Sequence, residues 1–242
     1  MSISEKIKTI TQNEKRVYDA GKKAQYDAFW DSYQLNGART DYANAFACPN
    51  DQMTWTAENF KPKYDIIIEK SGLQCFYLWE HTDPIDLGGI LASQGVRLDT
   101  SKATSLHNFM KYGYGICGRL PIIDCSLAGV NTTAMFYGCK ISGIEKLVVT
   151  EKTVFNDMFT YCYNLCDLVI EGKICTGGLN LKYSTKLSAD SIKNVVEALS
   201  DTATGLSVTL PMAAQATFAA KYGQSAWNSL IDTKRNWTIA FA

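Results

Sequence analysis

Apolar and small residues recur along the first stretch of the chain at Ile3, Ile7, Ile10, Val17, Gly21, Ala24 and Ala28, an alternation of three and four that only Glu14 interrupts. With Lys, Glu, Gln and Ala between them and no proline, this spacing predicts one long helix over 3–33 with an apolar seam. Such a seam joins copies in a coiled coil or lies against the chain's own domain. Both readings stay open, and Gly21 weakens an exposed coil by about 1 kcal/mol relative to Ala. Ile3, Ile7, Ile10 and Val17 are the candidate oligomerisation residues.

"LNGART" breaks this helix, and turn signals at Pro49-Asn50-Asp51 and Lys61-Pro62 mark a connector. A first strand is expected over Tyr64 to Glu69. Beyond it the pattern becomes repetitive. "HNFMKY", "TAMFYGC" and "NDMFTYC" set Phe109, Phe136 and Phe159 in equivalent slots, 27 and 23 residues apart, with Tyr112, Cys139 and Cys162 three positions further on. "NAFAC", around Phe46, is an earlier echo. After each slot come a turn and a β-rich run, from Leu120, Leu147 and Leu168.

That period predicts a leucine-rich-repeat-like solenoid whose turns stack as one parallel sheet. One turn cannot bury its own apolar face, so Phe, Leu, Ile and Cys share a core between turns. Further strands are expected over 96–101 and 178–184. "LSADSIKNVVEALS" then carries a cap residue and apolar positions Ile192, Val195, Val196 and Leu199, which predicts a helix. "LSVTLP" follows as a strand, then a helix over 213–233 and a closing strand "NWTIAFA". The expected fold class is α/β, divided into an N-terminal helix (1–35), a connector and N-terminal cap (36–95), the repeats (96–184) and a helix-strand cap (185–242).

Length and charge narrow the function. The chain has 242 residues, with 24 Lys+Arg against 24 Asp+Glu. Without a global field, nucleic acid and anionic membrane are not expected partners. The first residues, "MSISEKIKTITQNEKR", lack the apolar run of a secretory signal, and no stretch is long enough to span a bilayer. The protein is therefore expected to be made in the cytosol. Eight cysteines then read as small buried apolar residues. Cys139 and Cys162, in one slot of consecutive turns, stand about 5 Å apart, where a disulfide is geometrically possible but not implied.

"GYGICG", Gly113 to Gly118, has the G-x-G-x-x-G spacing of a dinucleotide site. That motif needs a strand before it and a helix after it, and here the order is inverted. Matched to the next repeat, Gly115 and Gly118 fall on Ser142 and Glu145, at a corner where glycine serves a tight turn. No cofactor is expected. Cys162-x-x-x-Cys166 and the pair Cys117/Cys125 lack zinc spacing, and the chain has only His81 and His107. No G-x-S-x-G elbow is present. The acids Asp83 and Asp86 read as a polar turn leading into a short helix, and no catalytic residue is assigned.

The remaining signal is aromatic. Thirteen tyrosines and five tryptophans are many, and Tyr112, Tyr114, Tyr137, Tyr161 and Tyr163 crowd the repeat corners. Tyrosine suits recognition because it offers a large area at low rotamer cost; it also packs between turns. Collectively these five are the candidate ligand-binding residues.

The repeat carried by "TAMFYGCKISGIEKLVV" and "NDMFTYCYNLCDLVI" resembles the leucine-rich repeats of BspA type over roughly 96–184. The flanks, "ISEKIKTITQNEKRVYDAGKKAQYDAFWDSYQ", "RTDYANAFA", "FKPKYDI", "SIKNVVEALSDTATGLSVTLP" and "WNSLIDTKRNWTIAF", resemble proteins encoded among tail genes of phages and prophages of Gram-positive gut bacteria. The resemblance implies a virion protein of the phage tail, assembled in the host cytoplasm. Its expected partners are other tail proteins and a host-surface glycan or protein, with no covalent step. A cytosolic interaction module made during infection or lysogeny is the alternative. A glycan-processing enzyme would instead need a cleft with paired carboxylates.

Overall fold

The computed structural model describes residues 24, 25, 28, 56–72, 75–76 and 84–242. Of the helix expected over 3–33, residues 24, 25 and 28 are described and helical; its seam residues Ile3, Ile7, Ile10 and Val17, the echo at Phe46, His81 and Asp83 lie outside the described residues. Within them the protein is a mixed α/β structure of short parallel sheets and four helices. In chain order the elements are β1 (Ile66–Ile67), β2 (Ile85–Asp86), α1 (Leu87–Gln94), β3 (Leu98–Asp99), β4 (Ile116–Cys117), β5 (Arg119–Asp124), β6 (Gly143–Val148) and β7 (Asp167–Glu171). They continue as β8 (Leu179–Asn180), α2 (Ala189–Ala198), β9 (Leu206–Leu210), α3 (Ala214–Tyr222), α4 (Gln224–Asp232) and β10 (Trp237–Phe241).

The strands pair as β1-β3, β2-β4, β5-β6-β7 and β8-β9-β10, every pair parallel. The single sheet expected from the repeat is thus broken into four, and buried threonines bond neighbouring segments both at the break between β3 and β5 and outside the strands. The Thr100 hydroxyl accepts the Asp124 N–H at 2.7 Å and donates to the Asp124 carbonyl at 3.0 Å. Thr132 does the same with Val154, at 3.0 and 2.7 Å. At these points a side chain stands in for the neighbouring backbone, which satisfies the buried polar groups while interrupting the ladder.

Helices cover both edges of the β5-β6-β7 sheet. Along β7, Leu168 and Ile170 alternate inward, as a half-buried strand requires. Its outer backbone is taken up by α2: Ser191 Oγ accepts the Leu168 N–H at 2.8 Å, and Asn194 Oδ1 accepts that of Ile170 at 2.6 Å. On the opposite edge, α1 lies so near β5 that a Cβ on Gly88 would fall 1.8 Å from the Arg119 carbonyl oxygen. Only glycine allows that approach. The helix α2 starts where the sequence places it, with Ser188 accepting the Ser191 N–H and Ile192, Val195 and Val196 buried. The helix expected over 213–233 is two, because Gly223 adopts φ 90° between α3 and α4.

Between strands, successive segments bond to one another through their backbones. Met110 and Tyr112 donate to Met135 and Tyr137; Phe136 and Gly138 donate to Met158 and Thr160. In a parallel ladder an N–H bonds the carbonyl just before its partner residue, so Met110, Phe136 and Phe159 are level. The left-handed residues agree: Asn108 and Tyr112, Ala134 and Gly138, Asp157 and Tyr161 recur as pairs in the same register. The expected match of Phe109 with Phe136 is therefore one residue out. Gly113, not Tyr112, stands level with Cys139 and Cys162, and a Cβ there would meet the Met110 carbonyl at 2.9 Å and Cys139 Sγ at 3.3 Å. The glycine corner shifts as well: Ser142 donates to Gly118 at 2.8 Å and Arg119 pairs with Gly143, so Gly118 matches Ser142, not Glu145.

One apolar cluster runs from Phe60 to Trp237. Phe76 meets Phe109 edge-on at 5.4 Å, and Phe136 stacks on Phe159 at 5.5 Å. Burying each ring stabilises by roughly 1.5–3 kcal/mol. The C-terminal segment is tied to the turn at Ser200: the buried Lys234 donates to the Leu199 carbonyl at 2.6 Å and pairs with Asp201, while Trp237 Nε1 donates to Ser200 at 2.8 Å.

Candidate functional site

The five tyrosines singled out by sequence come together on one surface, and Tyr183 joins them. Ring centroids step from Tyr112 to Tyr137 at 5.3 Å, to Tyr161 at 5.2 Å and to Tyr183 at 4.6 Å. Tyr114 flanks the row 5.9 Å from Tyr112, and Tyr163 lies 6.1 Å from Tyr161 and 5.6 Å from Tyr183. The first two steps are edge-to-face, the arrangement that the ring quadrupole favours.

The local backbone explains why the rings meet. Tyr112 and Tyr161 hold the same left-handed position in their segments, with φ 56° and 61°, and Gly138 holds it in the segment between, with φ 69°. A Cβ on Gly138 would lie 3.5 Å from Tyr112 Cδ1 and 3.6 Å from the Tyr114 hydroxyl. With no side chain at Gly138, the ring of its neighbour Tyr137 bridges Tyr112 and Tyr161. The row is then continuous although its tyrosines do not come from one repeat position.

The surface is amphipathic. Tyr161 and Tyr163 are 39% and 56% exposed, and the other four rings are half-buried. Lysines sit against the rings: Lys111 Nζ is 5.3 Å from the centroids of both Tyr112 and Tyr137, Lys140 is 5.9 Å from Tyr114, and Lys182 is 4.7 Å from Tyr183. Each is within cation–π range. Partial burial, then the adjoining Tyr161 and Tyr112 phenols, push the Tyr137 phenol up to about 12. Hydrogen bonding with Tyr183 also raises Tyr161.

Tyr183 and the three lysines escaped the sequence reading. The signal for Tyr183 was present: "LKYS" repeats the Lys-Tyr order of "MKYG", 22 residues after Tyr161. It sat in the segment where the Phe slot is missing.

The other candidates fall elsewhere. Cys139 and Cys162 are free thiols, and Cys162 Sγ donates to the Phe136 carbonyl at 2.9 Å. Burial pushes Cys139 up to about 12 and Cys162 well above the ordinary thiol range. At the "GYGICG" corner Gly118 has φ 76°, and a Cβ would lie 1.9 Å from Asp86 Oδ1. That carboxylate caps α1, accepting the Gly89 N–H at 2.9 Å. Among the described residues no group of three or more His, Cys, Asp or Glu side chains is placed to hold a metal.

A cleft of about 500 Å³ lies between α1 and β5, lined by Leu91, Val96, Leu120, Pro121 and Ile122, with Glu145 the carboxylate among its described lining residues. Arg97, also in the lining, is held by Asp65 at 2.6 Å. No tyrosine of the row reaches this cleft. Among the described residues no helix is long and apolar enough to cross a membrane. Compared with family models, curated proteins and solved structures, the chain matches none.

Proposed function

We propose that the chain is a non-enzymatic binding protein of a phage tail, and that it contacts a host-surface ligand through the tyrosine face of a leucine-rich-repeat-like solenoid. The observation that carries this reading is the unbroken row of Tyr112, Tyr137, Tyr161 and Tyr183, flanked by Tyr114 and Tyr163. Rings held by their neighbours lose little freedom on binding, so their contact area converts to affinity at low entropic cost. The backbone ladder between successive segments supports the solenoid, and the tail setting is supported by the resemblance of the flanks. In this reading residues 1–35 attach the protein to other tail proteins or to its own copies, and 185–242 close the last turn.

The test is binding of the full chain to intact cells of a susceptible host, beside Tyr137→Ala and Tyr161→Ala. Each variant is expected to bind at least about tenfold more weakly, a loss of roughly 1.4 kcal/mol, with an unchanged circular dichroism spectrum. Undiminished binding by folded variants would sink the surface. Absence of the protein from purified particles would sink the tail setting and favour a cytosolic interaction module.

A further inference from the structure

Elsewhere in the protein lysines hold carboxylates, Lys146 with Glu171, Lys173 and Lys234 with Asp201, Lys193 with Glu197, and Lys221 with Asp190. The three on the tyrosine face do not. Among the described residues Lys111, Lys140 and Lys182 form no salt bridge, and each lies against a ring. Lys186 adds a fourth charge nearby, its ammonium group donating to the neutral amide of Asn164 at 2.8 Å. The acid that bears on Tyr137 is Asp157, whose carboxylate accepts the Thr160 hydroxyl at 3.1 Å. Positive charge on this face is therefore only partly answered by the protein.

The geometry is that of a strip. Ring-to-ring steps of 5.3, 5.2 and 4.6 Å are close to the spacing of neighbouring segments, so the face offers aromatic contacts, alternately face and edge, at near-regular intervals in one direction. The cleft between α1 and β5 takes in none of these rings, and a row of small repeated contacts is unlike the single deep anchor of a protein partner's hot spot. Stacked nucleic-acid bases would need open ring faces in succession. Here interplanar angles of 85° and 89° turn alternate rings edge-on, and the chain's balanced charge supplies no broad basic field. A linear polymer of sugar rings meets both conditions: its C–H faces pack on phenol faces, and its hydroxyls meet phenol hydroxyls at the edges.

We propose that the tyrosine face takes an anionic polysaccharide, with sugar rings along Tyr112, Tyr137, Tyr161 and Tyr183 and acidic groups meeting Lys111, Lys140 and Lys182. This rests on the reading of the row as the binding surface and adds the chemical class of the ligand. Carboxylate-bearing and sulfate- or phosphate-bearing chains share the required chemistry, and the experiment separates them.

The full chain is titrated with polygalacturonate, dextran sulfate, neutral dextran and oligothymidylate, beside a Lys111→Gln/Lys140→Gln/Lys182→Gln variant and Tyr137→Ala. The expected result is binding to at least one acidic polysaccharide but not to neutral dextran, weakening as salt rises. The lysine variant should lose it by roughly tenfold or more. Equal binding to dextran, tighter binding to oligothymidylate, or an unaffected lysine variant would overturn the proposal. If neither acidic polymer binds while Tyr137→Ala still loses host cells, the ligand class is wrong and the surface stands; if Tyr137→Ala keeps host cells, the surface itself falls.

Discussion

At Tyr137 the phenol's environment makes a solution property out of the row. Folded, it holds its proton to about pH 12, whereas an unfolded tyrosine releases it near its ordinary 10.0. Between those values the unfolded chain binds fewer protons, so stability is complete below pH 10.0 and falls as pH rises toward 12. Urea midpoints across that window should drop in the natural protein and drop less in Tyr137→Phe. Equal slopes would mean that Tyr137 titrates normally. Gly118 carries the second prediction. A left-handed φ costs a non-glycine residue of order 1 kcal/mol, and its Cβ would displace the Asp86 cap, worth about 1 kcal/mol more. Gly118→Ala should therefore cost roughly 2 kcal/mol, and added to Asp86→Ala it should cost less than the two summed; strict additivity would separate corner from cap. The sequence showed the glycine corner but hid its partner, because Asp86 is brought there by the pairing of β2 with β4, across a chain distance that no local pattern records. It likewise aligned Phe109 with Phe136 by letter. The core accepts Met110 in the same place, since a flexible thioether fills an aromatic slot.

Elements of this protein end where side chains take over backbone bonding. The edge of β7 is closed by Ser191 and Asn194 of α2, not by another strand. Removing either acceptor leaves the N–H of Leu168 or Ile170 buried and unpaired, a cost of about 1–3 kcal/mol. Ser191→Ala and Asn194→Ala should each lower the urea midpoint by that amount and speed hydrogen exchange at the amide that loses its partner. A change within a few tenths of a kcal/mol, with exchange unaltered, would mean that water already serves those groups. Ala at these positions keeps helix propensity high, so the readout belongs to the edge and not to the helix. The helix itself was legible from its cap and its 3.6-residue period, and so were β7, β9 and β10. The division into four sheets was not, because between β3 and β5 the Thr100 hydroxyl enters the ladder, and threonine in a β-rich stretch ordinarily signals only strand propensity. Gly223, in a stretch otherwise patterned as one helix, was the visible sign that 213–233 would divide.

For the molecule as a whole, the proposed function requires a face of partly buried and exposed rings to hold a host surface. A single strip of small contacts gives modest affinity, and copies displayed together convert later contacts into intramolecular ones, raising avidity by roughly 10²–10⁴. The seam of Ile3, Ile7, Ile10 and Val17 is where the sequence offers a means of joining copies. Charges placed in it test the link without touching the face. In the full chain, Ile7→Asp/Ile10→Asp should reduce the mass measured in solution to that of a monomer. Binding to single short ligand chains in solution should be unchanged, because the tyrosines and lysines of one chain make that contact. Binding to a densely coated surface should fall by roughly the avidity factor, chiefly through faster dissociation. If the natural protein and the variant have the same monomeric mass, the seam does not join copies. In the proposed tail setting the particle would then have to supply the multivalency, and loss of surface binding should appear only when the protein is taken out of it.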